Sequence, residues 1–346
     1  MLVLIYKNNL DHLLMKEPKV SIILPTYNVE RFLLQSLESI ALQTYKNIEV
    51  IIVIDGATDS SYQIAMDFCK KDSRFKVLWQ NNAGSGPARN HGIDESTGEL
   101  IMFVDPDDWC EPDYVENMVR LQQGKDYDLV TTKETAVYFS QKGKQTSLKH
   151  FEATPFTLFD EKDIKKYYLT LLSDGLISAP HCKIYKAAII KNKNLRFPDL
   201  RRSQDVVFNY RYYSYVNRLC VSNYSGYMYR VLHKDRALRL KPDYFKTIAF
   251  LYSEMQEMHK KWNVAFDNQK ACTDFYVSVH ALLEANILRH QSIKDIAEYP
   301  IIHEIIKNAK PLKIHFKVIR FLVLKKCYFL AALLLYILYY LKNIIQ

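Results

Sequence analysis

The chain of 346 residues carries 47 Lys and Arg against 38 Asp and Glu, a formal charge of +9, with 49% apolar and 25% charged residues. Such a composition is globular, enough for one large domain or two modest ones, and excludes a disordered or fibrous chain. From Lys307 to Gln346 there are eight Lys and Arg and no acid, so the preceding body is close to neutral, which argues against a main fold that wraps nucleic acid. Residues 1–19 read as an N-terminal extension whose apolar stretch, 2–6, is too short for a signal peptide. Short β-branched runs at 20–24, 48–54, 75–79 and 100–104 read as buried strands. Amphipathic stretches at 30–42, 60–71 and 87–96 read as the helices between them, with Asp59 or Ser60 suited to an N-cap. This alternation predicts a parallel sheet with helices on both faces, in which ligands bind beyond the C-terminal strand ends.

Further along, residues 133–155 are polar and weakly alternating, an extended or hairpin excursion. Helices are expected at 160–172, 184–191, 205–215, 244–261 and 272–290, and a connection at 294–310. In the tail, Lys313, Lys317 and Arg320 share one helical face, while Val318, Ile319 and Leu322 turn away from it. Residues 327–341 then form an unbroken apolar run of 15. As a helix this run reaches roughly 22 Å, short of the ~30 Å hydrocarbon core of a bilayer. Residues 312–346 therefore read as an interfacial anchor on an anionic leaflet, with a core helix edged by solvated lysines as the competing reading. The six cysteines are far apart with no Cys-x-x-Cys pair, which is no disulfide framework or zinc ribbon and suits a reducing compartment. His303-Glu304-Ile305-Ile306-Lys307 departs from the zinc protease pattern at its last position.

Polar residues collect where the first strands end: Pro25-Thr26-Tyr27-Asn28, Asp55-Gly56-Ala57-Thr58-Asp59, and Asp105-Pro106-Asp107-Asp108. The last run puts three carboxylates within four residues. Such a cluster repels itself unless a cation or hydrogen-bond donors neutralise it, and hard oxygen ligands suit Mg²⁺ or Mn²⁺. A solvated acidic turn before the next helix explains the same run equally well. Gly84-Ser85-Gly86-Pro87 allows close approach of backbone to a ligand at a helix start, although neither the dinucleotide nor the Walker pattern is present.

Taken in order, Ser21–Asn28, Gln43-Thr44-Tyr45, Asp55–Asp59, Ala88-Arg89-Asn90-His91-Gly92 and Asp105–Asp108 resemble the motifs of family 2 glycosyltransferases of the GT-A fold. Lys183-Ile184-Tyr185-Lys186, Gln204-Asp205 and Tyr227–Arg230 are similar to later landmarks of bacterial polysaccharide members. The resemblance implies a Rossmann-like mixed sheet flanked by helices, a nucleotide-diphospho-sugar transferase fold over residues 20–235, followed by a helical region at 236–311. It implies a donor lying across the first half of the sheet, with Pro25, Thr26 and Tyr27 lining the base pocket and Asp55 near the uracil or ribose. Gly84, Arg89 and Asp105 would serve the donor diphosphate, with Mn²⁺ or Mg²⁺ held by Asp105 and Asp107. Asp205 stands where the family places the base that takes the acceptor proton. His181, Lys183, Arg230 and His233 stand where members reach diphosphate or acceptor.

Two positions depart from the family. Ile54 replaces the first of two acids common after the second strand, and Gln204 replaces the Glu that commonly precedes the base; activity is expected to persist because Asp205 remains. None of Trp79, Trp109 and Trp262 is preceded by Arg, so the signature of processive synthases is absent and single-sugar transfer is favoured. The resemblance thus implies transfer of one sugar, galactose or glucose, from a UDP-sugar to a polyprenyl-diphosphate-linked glycan. The expected setting is O-antigen or capsule synthesis, peripheral on the cytoplasmic face of the bacterial inner membrane. Two alternatives stand beside it: an inactive scaffold of the assembly machinery, and a metal-dependent sugar nucleotidyltransferase.

Overall fold

The computed structural model describes residues 17–140, 142–200, 202–232, 241, 243–263 and 265–344. Its centre is a sheet of eight strands ordered β3-β2-β1-β4-β10-β6-β11-β9. β1 (Val20–Thr26) and β2 (Ile48–Asp55) are buried along their whole length, as strands covered on both faces must be. They pair in parallel with each other, and β3 (Phe75–Gln80) and β4 (Leu100–Phe103) extend the parallel set on either side.

Register divides the side chains between two cores. Ile23 stands level with Ile51 and Phe103, and these three face one core. Ile22 and Leu24, one residue away on either side, face the other with Val50 and Ile52. The second core is closed by helices Glu30–Ala41, Ser61–Cys69 and Tyr114–Gly124. The first is closed by helices Ser85–Asp94 and Gln204–Tyr213, and it continues without a break into the C-terminal helices through Ile248, Tyr252, Leu282 and Ile305.

Beyond residue 100 the sheet becomes mixed, in keeping with the mixed sheet that the resemblance implies. β10 (Lys183–Lys186), expected as the start of a helix, runs antiparallel between β4 and β6 (Leu129–Thr131); only Ala187–Asn192 is helical. The unpaired edges of β4 and β6 supply hydrogen-bond partners that local propensity does not register. β11 (Leu219–Val221) is parallel to β6, and β9 (Phe156–Leu158) is antiparallel at the edge. The excursion after Lys133 is a hairpin of β7 (Glu134–Phe139) and β8 (Gln145–His150). It joins β12 (Tyr227–Leu232) and β5 (Trp109–Cys110) in a second sheet ordered β5-β12-β7-β8. Because β5 directly follows the acidic run and pairs with Tyr227 and Met228, this small sheet brings β12 against Asp105–Asp108. Residues 294–310 are not a plain connection but two helices, Lys294–Ala297 and Pro300–Asn308.

Candidate active site

The C-terminal ends of β1, β2 and β4 form one rim, and helix Ser85–Asp94 crosses beneath it. A Cβ added at Gly92 would stand 2.4 Å from Ile23 Cγ2, so only glycine lets this helix lie directly on β1. That close seat carries Arg89, three residues earlier, to the rim. Arg89 is buried and donates from Nη2 to Asp105 Oδ1 at 2.7 Å. Its guanidinium also lies 5.4 Å from the centre of the Phe197 ring. The loop bearing Phe197 is fixed to the same helix by reciprocal bonds: Asn90 Nδ2 donates to the Phe197 carbonyl and the Phe197 N–H to Asn90 Oδ1, both at 2.8 Å.

Asp105 has a second neighbour, the His181 ring, whose Nδ1 lies 3.4 Å from Oδ2. The imidazole stacks on Tyr227 with ring centres 4.7 Å apart and planes 7° from parallel. Tyr227 in turn accepts the Asp105 backbone N–H at 3.1 Å and donates to Asp108 Oδ2 at 2.8 Å, fastening both ends of the acidic run. Burial by itself would raise the Asp105 carboxyl, but the Arg89 charge and the His181 hydrogen bond outweigh it and hold the group well below the usual carboxylate range. Asp107 moves the other way, raised by burial and by the neighbouring Asp105 charge. Asp108 is raised further by burial and by both of these acids.

Asp205 comes from a helix rather than from a strand end. Ser203 adopts a left-handed conformation (φ 60°), after which Gln204 begins helix Gln204–Tyr213 with Asp205 in its first turn. Gln204 Nε2 donates to Ser85 Oγ at 2.5 Å, which seats this helix start on the glycine-rich loop. The Asp205 carboxyl is raised by burial, an effect opposed by Arg89 and increased by Asp105. One guanidinium therefore serves two acids: it holds Asp105 ionised and keeps Asp205 from rising further. An acid with raised proton affinity, partly buried in the first turn of a helix, is suited to accept a proton.

Two groups of side chains have the composition to hold a cation. Asp105 and Asp107 offer hard oxygen ligands, and the repulsion that raises Asp107 is what a divalent cation would relieve, so Mn²⁺ or Mg²⁺ fits this pair. Glu134, His181 and Cys182 place one ligand atom each within 4.8 Å of one another, a mixed set of softer character.

The glycosyl transferase family 2 profile matches residues 21–192. The EpsH protein of Bacillus subtilis is 32% identical over 271 residues, spanning 77% of this chain and 76% of that one. The chain belongs to glycosyl transferase family 2. The glycosyltransferase GlyA of Streptococcus pneumoniae is 34% identical, although the match spans only 31% of its length. Among solved structures, residues 1–349 of Staphylococcus aureus TarS in complex with UDP-GlcNAc align with a TM-score of 0.57 at 22% identity, over 84% of this chain and 79% of that one. At that identity the likeness establishes the GT-A-like fold.

Within this family 2 enzyme, several residues expected at the site are engaged elsewhere. Asp55 is buried, with Oδ1 accepting from Gln80 Nε2 and the Ala83 N–H and Oδ2 from the Gly84 N–H, all at 2.8 Å. Both its oxygens thus hold the glycine-rich loop, and Oδ1 also the end of β3. Pro25 and Thr26 are buried, and Thr26 Oγ1 donates to the Leu24 carbonyl; Tyr27, 47% exposed, is the accessible member of that group. Arg230 donates from Nε to the Asp107 carbonyl and from Nη2 to Gln35 Oε1, each at 2.6 Å, among the rings of Phe32, Trp109 and Phe139. It shapes the acidic loop from behind instead of reaching outward. Lys183 is buried, its Nζ donates to the Ala179 carbonyl at 2.5 Å, and burial pulls its ammonium down to about 8. Both were expected to face diphosphate or acceptor; both are buried, and these donors reach oxygens of the protein itself. His233 lies outside the described residues. Tyr227 is the positioning residue that sequence reasoning passed over; its only signal was membership of the Tyr227–Arg230 landmark.

Proposed function

We propose that this family 2 enzyme transfers a single sugar, with inversion, from a UDP-sugar to a saccharide carried on a polyprenyl diphosphate. The product would be a building step of a bacterial surface polysaccharide such as an O-antigen or capsule, made at the cytoplasmic face of the inner membrane. The observation that carries this reading is that the buried Arg89 bonds Asp105 and that its charge, with that of Asp105, also acts on Asp205. Asp205 takes the proton of the acceptor hydroxyl as its oxygen bonds to the anomeric carbon; the bond from that carbon to the diphosphate breaks, and UDP leaves. Arg89, buried beside Asp105, presents fixed positive charge where negative charge grows on the leaving group. A divalent ion held by Asp105 and Asp107 would supply further neutralisation of the diphosphate. Support for the donor class comes from the TarS structures, which hold UDP or UDP-GlcNAc. N-acetylglucosamine therefore joins galactose and glucose as a sugar to be tried.

The test is transfer by purified protein with Mn²⁺ to a synthetic lipid-diphosphate saccharide, across UDP-glucose, UDP-galactose and UDP-N-acetylglucosamine. One donor is expected to give product and release UDP. If no nucleotide sugar gives product or binds with metal present, the reading fails.

A further inference from the structure

The last two long helices turn an apolar face outward that the proposed reaction does not use. On helix Ile314–Leu324, Ile319 and Val323 are buried in the core, while Ile314, Val318 and Phe321 are exposed at intervals of four and three residues. On helix Tyr328–Ile344, Ala331 and Leu335 are buried, while Phe329, Leu333, Tyr336 and Tyr340 are exposed at intervals of four, three and four. Those intervals put each exposed set on one helical face. Leu312 and Phe329 are 89% and 80% exposed. Among the described residues, eleven of twenty-four exposed large apolar side chains lie between Leu312 and Leu341. A patch so concentrated on a folded surface marks a place where something docks.

We propose that this two-helix face seats in the anionic leaflet of a lipid bilayer and lies in its interface without crossing it. Charge selects the occupant. Lys313, Lys317, Lys325 and Lys326 are exposed beside the apolar stripe, and no acid occurs after residue 307. A second copy docking through the same face would bring these lysines toward their own kind, whereas anionic headgroups oppose them. Length excludes a span: helix Tyr328–Ile344 has 17 residues, and no helix among the described residues is long and apolar enough to cross a membrane. The rings of Tyr336 and Tyr340, with centres 4.6 Å apart on the outward face, are amphipathic groups suited to headgroup depth.

The structure refines the two readings left open by the sequence. The tail is at once a core element through Ile319, Val323, Ala331 and Leu335 and an outward apolar surface through the residues between them. Deleting it would expose the core as well as remove the surface, so point variants give the clean experiment. Intact protein is to be sedimented with phosphatidylcholine vesicles, with and without phosphatidylglycerol, and examined for oligomeric state without lipid. Binding is expected on the anionic vesicles and roughly tenfold or more weaker on the neutral ones. F329D/L333D is expected to abolish vesicle binding with thermal stability retained, because both side chains are exposed. K317Q/K325Q/K326Q is expected to weaken binding on anionic vesicles only. Unchanged vesicle binding in the Asp variant overturns the proposal. So does a lipid-free dimer that the Asp variant dissociates and that binds no vesicles, since the occupant is then a second copy. The assay needs no sugar donor, so its failure is separate from failure of the transfer reading.

Discussion

Arg89 sits between two acids that its single charge treats alike and their surroundings treat differently. Asp105 is bonded to the guanidinium and falls below the usual carboxylate range, whereas Asp205 is influenced without a direct bond and stays raised by burial. Asp205→Asn keeps the shape and removes the proton acceptor. Product formation is expected to drop about 10²–10⁴-fold, with UDP affinity by calorimetry unchanged. In the native enzyme the rate should climb with pH as Asp205 ionises, along a limb above the ordinary value of 3.8; the Asn variant should lose that limb. Arg89→Met leaves both acids buried without their cation, and thermal unfolding should show a loss of about 3–5 kcal/mol. Glu49 offers a test remote from the chemistry. Burial would raise its carboxyl, but donors from Ser21, Thr97 and Lys19 lower it from 4.5 to about 2. A lowered folded value means stability that is full above about 4.5 and lost as pH falls toward about 2. Urea titrations across that window should show a slope that Glu49→Gln flattens.

At the scale of elements, the site depends on one helix lying closer to the sheet than most residues allow. Gly92→Ala forces its Cβ into Ile23 Cγ2 and lifts helix Ser85–Asp94 from β1. Overpacking of this kind costs about 1–3 kcal/mol, to be read from urea denaturation. Transfer should suffer as well, since Arg89 moves with the helix. The second sheet performs the complementary task. β12 pairs with β5 and delivers Tyr227 to both ends of the acidic run. Tyr227→Phe leaves the buried Asp108 short of a donor, at a cost of about 1–3 kcal/mol. The same variant should weaken Mn²⁺ binding measured by calorimetry, because the loop carrying Asp105 and Asp107 loses its fastening.

For the molecule as a whole, one hydrophobic core runs from the central sheet through helix Gln204–Tyr213 and into the C-terminal helices. The contact of helix Tyr244–Trp262 with the catalytic half is also polar: Ser203 Oγ and Tyr244 Oη lie 3.2 Å apart, two residues from Asp205. Truncation after Asn308 would strip Ile319, Val323, Ala331 and Leu335 from that core. Removing a buried side chain the size of Ile319 or Leu335 costs about 2–5 kcal/mol, and Val323 and Ala331 add less. The truncated chain is expected to aggregate on expression, in contrast to the surface variants F329D/L333D.

Much of this architecture was legible in order of residues alone. Continuous β-branched runs between amphipathic stretches dictated β1 to β4 and their helices, because strands covered on both faces are largely apolar; the polar Ser21 and Glu49 inside β1 and β2 are hydrogen-bonded to each other. The spacing of the polar runs beyond those strands marked the candidate site, and the resemblance to the family added Asp205. What the sequence could not contain is how shared space divides the work among side chains. Asp55 and Arg230 look like ligand-facing residues in a motif, yet packing turns both to hold loops. Lys183–Lys186 reads as helix until β4 and β6 offer it hydrogen bonds. The run 327–341 is apolar on every side, so its periodicity assigns no inner face; only contact with the core separates Ala331 and Leu335 from Phe329 and Leu333. Local pattern records which residues prefer burial, while tertiary packing decides which of them find room inside.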